Sequence, residues 1–128
     1  REYVLSVLGE PDDWAAGASS DNSGIWLYGA IEVHFNDLGR AHLIYSDRDN
    51  LTDGGAGLVV EPWVIKKGMA RDGLEAALGK LNIGYETNES EFNAGQTQVQ
   101  IANVISFDFL EGEQEDNLVG LCSWSVRI

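Results

Sequence analysis

The sequence has little cysteine, histidine, proline or positive charge, and each shortage excludes a class of structure or chemistry. A single cysteine, Cys122, excludes an internal disulfide and a cysteine-rich zinc site. Because its neighbours are apolar, we expect Cys122 to be a small core residue. No apolar run approaches the ~20 residues that a membrane-spanning helix needs. The sequence therefore predicts no membrane partner.

Positive charge is the most marked shortage. Eight bases face 21 acids, for a net charge of −13. Residues 1–64 contain three bases and 11 acids, and residues 65–128 contain five and 10. Such a field repels nucleic acid and attracts basic proteins. We therefore expect a basic protein partner and no nucleic acid; the alternative is that the acidity only keeps the protein in solution.

The chain opens directly on a helical pattern, without a charged and then apolar leader. We therefore expect a cytoplasmic location. A removed signal peptide stays an alternative.

One pattern of spacing and apolar residues occurs twice. Residues 3–9 align with residues 73–79, which places Leu8 on Leu78 and Gly9 on Gly79. Residues 25–35 align in the same way with residues 99–109. A repeated supersecondary unit is typical of proteins that build an extended surface. We predict a single domain, residues 1–128, made of two similar halves, about 1–64 and 65–128.

The first half reads as a helix followed by strands. Apolar residues between positions 4 and 8 predict a short helix that Gly9 and Pro11 end. Strict alternation over residues 25–36 predicts one half-buried strand, or two joined at Gly29. A turn at residues 36–39 leads into a return strand at 40–46. The predicted pairs are Phe35 with Ala41, Val33 with Leu43, and His34 with His42.

The rest of the chain is assigned in the same way. Loops are predicted at residues 15–24, 47–57, 89–95 and 111–117, and a helix from about Ala70. Residues 58–60 are predicted to form a short strand or an extended edge, and strands are predicted at residues 82–87, 98–110 and 118–128. The fold class is therefore α+β: a duplicated helix-plus-antiparallel-hairpin unit, with short helices packed on one face of a mostly antiparallel sheet. The other face of the sheet would be open.

Short motifs add a resemblance. Gly68, Met69 and Ala70, followed by Leu74, Leu78 and Gly79, resemble the opening of the small outer-membrane lipoprotein family typified by BamE (SmpA). The first half has a matching Leu-Gly-Glu-Pro at positions 8–11. Two such units in tandem resemble the β-lactamase inhibitor protein fold. The chain departs from the family at Lys80 and Leu81, where the family has a proline.

A second resemblance involves the segment around Trp14 and the aromatic strand at residues 25–35. Both are similar to small bacterial cytoplasmic proteins, some of them suspected immunity partners of secreted toxins. This resemblance implies a role in binding and transfers no residue-level function.

Few residues could carry chemistry. His34 and His42 with Glu32 could form a metal site of two histidines and a carboxylate, the alternative being a surface histidine pair. The acids after residue 46 miss a calcium loop, since Leu51, Thr52 and Leu58 stand where a ligand, a glycine and a glutamate are needed. No phosphate loop or nucleophile motif occurs. The sequence predicts no catalytic residues, metal or cofactor.

Aromatic residues among acids are typical of a binding surface. Trp26 and Tyr28 share the polar parity of their strand, so we expect them on the open face. The alternative is that the tryptophans pack as core. The predicted partner-binding residues are Trp26, Tyr28, Glu32, His34, Asp47, Asp49 and Trp63.

The leading hypothesis is a bacterial immunity protein that neutralises a basic toxin effector by occluding its active cleft. Two alternatives remain at this stage. One is an envelope or assembly scaffold of the lipoprotein kind, and the other is a metal-dependent enzyme built on His34 and His42.

Overall fold

The computed structural model describes residues 1–15, 17, 19, 22–89, 95–111 and 119–128. Across these residues the fold is α+β, with two short helices and one eight-stranded antiparallel sheet. The elements are α1 (Glu2–Leu8), β1 (Asp13–Ala15), β2 (Ile25–Tyr28), β3 (Ile31–Phe35), β4 (Ala41–Ser46), α2 (Arg71–Lys80), β5 (Glu86–Glu89), β6 (Gln96–Ile101), β7 (Ile105–Leu110) and β8 (Gly120–Arg127). The strand order is β1-β2-β3-β4-β8-β7-β6-β5.

Each half of the chain contains one helix followed by four strands. The halves meet in the middle of the sheet, where β4 pairs with β8. The order of elements does not by itself show that one unit was copied, so the duplication stays a prediction.

Helix α1 lies where the apolar spacing predicts it. Val4 and Leu8, one turn apart, pack on a cluster of buried side chains from β2 and β3. Gly9 ends the helix at a φ of 77°, which an L side chain rarely adopts. Leu5 and Val7 are exposed, so the buried stripe is narrower than the sequence predicts.

The alternating segment at residues 25–36 is a hairpin of two strands, β2 and β3. Gly29 turns the chain at a φ of 60°, and Tyr28 pairs with Ile31 across the turn. Directly opposed residues of a hairpin point to the same face of the sheet. Trp26 therefore shares a face with its partner Val33, although the two differ in parity along the sequence.

The predicted turn at residues 36–39 is confirmed. The Asn36 Oδ1 atom accepts the backbone N–H of Leu38 at 3.0 Å and that of Arg40 at 3.1 Å. Phe35 pairs with Ala41 as predicted, but a register shift between His34 and Phe35 then moves the pairing by one residue.

The shift changes two predicted pairs. Val33 pairs with Ile44 rather than with Leu43, and His34 pairs with Leu43 rather than with His42. These two predictions are wrong because spacing along a strand does not reveal a bulge.

The connection from residue 47 to residue 70 contains no strand, so of the two alternatives for residues 58–60 the short strand is wrong. Leu58 instead packs on the same buried cluster as Val4 and Leu8. Leu51 is also buried, and its carbonyl oxygen accepts the indole N–H of Trp124 at 2.9 Å. This connection therefore covers the sheet without joining it.

Helix α2 begins one residue after Ala70, as predicted, and buries Leu74 and Leu78. The strand expected at residues 82–87 lies later, at Glu86–Glu89. The long strand expected at 98–110 is a hairpin, because Ala102 and Asn103 adopt φ values of 53° and 58° and reverse the chain between β6 and β7. The strand predicted at 118–128 is confirmed as β8.

Three of the predicted loops lie partly outside the described residues. These are the loops at 15–24, 89–95 and 111–117, which contain residues 16, 18, 20, 21, 90–94 and 112–117.

Both helices pack against one face of the sheet, the covered face. Leu74 and Leu78 of α2 contact buried residues of β6, β7 and β8. The covered face continues across the sheet, because Val33 pairs with Ile44 and Ile44 pairs with Val126. The α1 cluster and the α2 cluster thus lie on the same side, and neither helix packs on the opposite side, the open face.

No helix among the described residues is long and apolar enough to cross a membrane.

Candidate functional site

The open face presents one continuous row of side chains across all eight strands. Its members are opposed residues of successive strand pairs, so their side chains point the same way. The row is Asp13, Leu27, Glu32, Tyr45, Ser125, Ser106, Gln100 and Glu86. Short serines occupy its centre, and longer side chains stand on both sides of them.

Aliphatic side chains lie beside charged ones on one side of the open face. Ile25 and Leu27 of β2 and Leu43 of β4 are half-buried there, next to their pairing partners Glu32 and His34 of β3, and neither described helix covers them. Half-buried aliphatic side chains beside a polar surface are typical of protein contact sites. This side of the open face thus combines apolar and charged side chains.

Glu32 and His34 form a pair on this face. The His34 Nε2 and Glu32 Oε2 atoms lie 2.8 Å apart, and both side chains are about one-fifth exposed, at 24% and 19%. The His34 ring meets those of His42 and Tyr45 edge to face, at centroid distances of 6.4 and 6.3 Å. The histidines are therefore near each other despite the bulge.

The polar side of the open face is connected by hydrogen bonds from β5 to β8. The Gln100 amide donates to Gln98 Oε1 at 2.7 Å, and the Gln98 amide donates to Asp108 Oδ1 at 2.9 Å. The Ser123 hydroxyl donates to Asp108 Oδ2 at 2.8 Å. Asn88 extends the chain by donating to Gln100 Oε1 at 3.3 Å. Linked side chains of this kind hold one another in fixed orientations.

Tyr45 continues the polar chain into β4. Its hydroxyl lies near the side chains of Asp47 and Ser123. Burial, followed by the negative charge of Asp47, raises the pKa of Tyr45 to about 12 from an ordinary 10.0. The phenol is therefore neutral at physiological pH and can donate a hydrogen bond.

Two of the predicted partner-binding residues lie on the wrong face for that role. Trp26 is 3% exposed and Tyr28 is fully buried, and both point to the covered face. Trp26 packs edge to face on Phe35 at 5.0 Å, while the Tyr28 hydroxyl donates to the Gly9 carbonyl at 2.9 Å. The prediction that they lie on the open face is wrong because the Gly29 turn reverses the parity. The alternative, that the indole of Trp26 is part of the core, is what the structure has.

The other predicted residues are only partly brought together. Glu32 and His34 are in contact, and Asp47 joins the same face through Tyr45. Asp49 is exposed in the loop after β4, and Trp63 is 45% exposed in the connection before α2. In the described part of the chain, no hydrogen bond or ion pair links Asp49 or Trp63 to the open face.

Sequence reasoning missed Tyr45, Gln98, Asp108 and Ser123. The signal was present in β7, where Ser106 and Asp108 alternate with Phe107 and Phe109. That alternation indicates that one face of the strand is apolar and buried and the other is polar.

Cys122 is half-buried and stands at the register shift between β7 and β8. Its thiol donates to the backbone carbonyl of Asp108 at 3.3 Å, and burial raises its pKa. A thiol with a raised pKa is a poor nucleophile at neutral pH. The arrangement indicates a structural role for Cys122, whose thiol contacts the backbone of Asp108.

A groove of about 560 Å³ lies between α1 and the β3–β4 turn. Arg1, Tyr3, Leu5, Trp26 and Leu38 are among the residues that line it. Among the described residues its lining contains the carboxylate of Glu2 and no histidine, cysteine or serine.

Within the described ranges, no three histidine, cysteine or acidic side chains are grouped so that they could hold a metal ion. The alternative reading of His34, His42 and Glu32 as a metal site is therefore not supported by the grouping of these side chains.

No family model matches the chain, and neither a curated protein nor a solved structure shows significant similarity to it.

Proposed function

We propose that this protein is a non-catalytic binding protein that neutralises a basic protein by laying its open face over that partner's active cleft. The role is that of an immunity protein for a toxin effector. The observation that carries the proposal is an eight-stranded sheet with one face on which neither described helix packs and which is lined by a connected set of polar and acidic side chains.

The size of the open face supports this role. Eight strands spaced by about 4.8 Å span roughly 34 Å. A specific interface buries about 800 Å² on each partner. A surface of that width can extend over both sides of a cleft. We propose that copying of one helix-and-strand unit produced this width.

The charge of the chain supports a basic partner. A net charge of −13 draws a cationic surface toward the protein and raises the association rate. Glu32 and Asp108 place part of that charge directly on the open face. The half-buried aliphatic residues of β2 and β4 then supply the apolar contact that holds a complex together.

The test is isothermal titration of the protein against a basic effector domain encoded beside its gene. Two variants are matched in chemistry and differ in face: Ser106→Arg lies at the centre of the open face, and Ser6→Arg lies on the exposed surface of α1. We expect binding below micromolar Kd for the unchanged protein. We expect Ser106→Arg to weaken binding at least about tenfold, and Ser6→Arg to weaken it by less than about threefold.

Both variants change the net charge equally, so a general electrostatic effect would weaken them alike. Equal losses in the two variants would show that the open face is not the contact surface. The absence of any submicromolar basic partner would remove the proposed function itself.

A further inference from the structure

Asp108 accepts hydrogen bonds from neutral side chains on both of its carboxylate oxygens. It stands in β7 on the open face and is half-buried. One of its oxygens accepts the Gln98 amide, and the other accepts the Ser123 hydroxyl. By contrast, Glu32 is paired with His34, and Arg71 lies 3.4 Å from Glu75 and 3.1 Å from Glu111.

No lysine or arginine nitrogen of the described residues lies within 4.0 Å of Asp108. The Lys67 ammonium donates instead to the backbone carbonyls of Asp47 at 2.7 Å and Cys122 at 3.2 Å. A half-buried carboxylate is stabilised most by a hydrogen bond from a charged donor. The neutral neighbours of Asp108 thus fix the orientation of its carboxylate without neutralising its negative charge.

The free lone pairs of Asp108 indicate which cation fits. A carboxylate offers about four acceptor positions, two on each oxygen. Gln98 and Ser123 use one position on each oxygen, so one remains on each. A guanidinium presents paired N–H donors that can contact both oxygens of a carboxylate, whereas an ammonium offers a single point charge.

We propose that Asp108 is the receptor on the open face for an arginine side chain presented by the basic partner. The inference rests on the proposed function and names the chemistry of its central contact. Gln98 and Ser123 are positioning residues that hold the carboxylate in place. Tyr45, which lies near both Ser123 and Asp108, adds a neutral phenol beside the carboxylate.

The test needs no identified partner. ¹⁵N-labelled protein is titrated with N-acetyl-arginine amide, and amide shifts are followed by NMR. The N-acetyl-citrulline amide has nearly the same shape without the charge, and N-acetyl-lysine amide has the charge without the fork. We expect saturable shifts at the side-chain amide of Gln98 and at the backbone of Asp108 and Ser123, with arginine binding more tightly than lysine and citrulline producing no saturable shift.

Variants provide the second arm of the test. Asp108→Asn keeps the shape of the side chain and removes its charge, and Glu86→Gln removes one charge from the exposed edge of the same face. We expect arginine-amide binding to weaken about tenfold in Asp108→Asn and by less than about twofold in Glu86→Gln.

Equal shifts with the citrulline and arginine compounds would overturn the proposal, as would equal weakening in the two variants. The citrulline comparison uses the unchanged protein, so it holds even where Asp108→Asn fails to fold. Effector binding that survives Asp108→Asn but is lost in Ser106→Arg would overturn the arginine site and leave the proposed function standing. Arginine-amide binding at Asp108, together with the absence of any basic protein partner, would overturn the proposed function and leave the arginine site standing.

Discussion

Trp26 shows that the role assigned to a residue depends on which face of the sheet its side chain occupies. As part of an alternating segment it reads as an exposed aromatic residue, yet it is buried against Phe35 on the covered face. Its stability contribution is therefore that of a core residue. Its binding contribution is indirect, through the shape of the sheet.

Trp26→Ala should lower the free energy of unfolding by about 3–5 kcal/mol, because it leaves a large cavity in the core. The control is Trp14→Ala on the neighbouring strand, where the indole is 42% exposed and pairs directly opposite Trp26. Its loss should be well under half as large. Urea unfolding followed by circular dichroism measures both; similar losses would contradict the burial of Trp26.

Tyr45 makes the stability sensitive to alkaline pH. The folded protein holds the phenol proton up to a pKa of about 12, and the unfolded chain releases it near 10.0. Below pH 10 both states are protonated and the contribution is fully present. Between pH 10 and pH 12 only the unfolded state loses the proton, so stability falls as pH rises.

The measurement compares the unchanged protein with Tyr45→Phe over that pH window. The variant should lose stability less steeply between pH 10 and pH 12, while the difference between the two proteins should be constant from pH 7 to pH 9. Parallel curves across the whole range would show that Tyr45 does not hold its proton.

Among the elements, the hairpins decide which residues share a face. The Gly29 turn reverses parity between β2 and β3, and the register shifts place His42 and Cys122 at bulges. Each is a one- or two-residue event with consequences for a whole strand. This is why the position of a strand can be predicted more easily than its buried face or its partners.

Substitutions at two glycines test whether the turn at Gly29 depends on its left-handed conformation. A methyl group on Gly29 would overlap the backbone nitrogen of Gly55 and the carbonyl oxygen of Asp53, at a φ that alanine rarely adopts. Gly79, in the last turn of α2, has open space around it. Gly29→Ala should cost at least about 1–2 kcal/mol, and Gly79→Ala should add up to about 1 kcal/mol.

Thermal or urea unfolding of the two variants measures these changes. A neutral Gly29→Ala variant would show that the turn does not need a left-handed residue. A destabilised Gly79→Ala variant would show that the outer surface of α2 is in contact with another part of the protein.

The whole molecule depends on the pairing of β4 with β8, which joins the two halves in one sheet. The strand order places β8 and β4 at the centre and β1 and β5 at the edges. Backbone hydrogen bonds at the centre of a sheet open only in the larger unfolding events, whereas edge strands fray.

Hydrogen exchange should therefore be slowest for amides of β4, β7 and β8 and fastest for those of β1 and β5. Exchange measured by NMR or mass spectrometry at neutral pH gives the order. Two separate levels of protection, one for each half, would contradict a single cooperative sheet.

The sequence by itself determined the composition-level properties and much of the local structure. Both helices, the turn at residues 36–39 and the strand at 120–127 follow from apolar spacing and from turn residues, which act over a few positions. The acidic surface follows from composition alone. The tertiary structure decided which side of each strand is buried, because a bulge or a two-residue turn changes the face of every later residue without leaving a clear mark in the pattern. For the same reason only the structure brings Gln98, Asp108, Ser123 and Tyr45 together, since they come from four strands, one of them in the other half of the chain, and meet through pairing in the sheet.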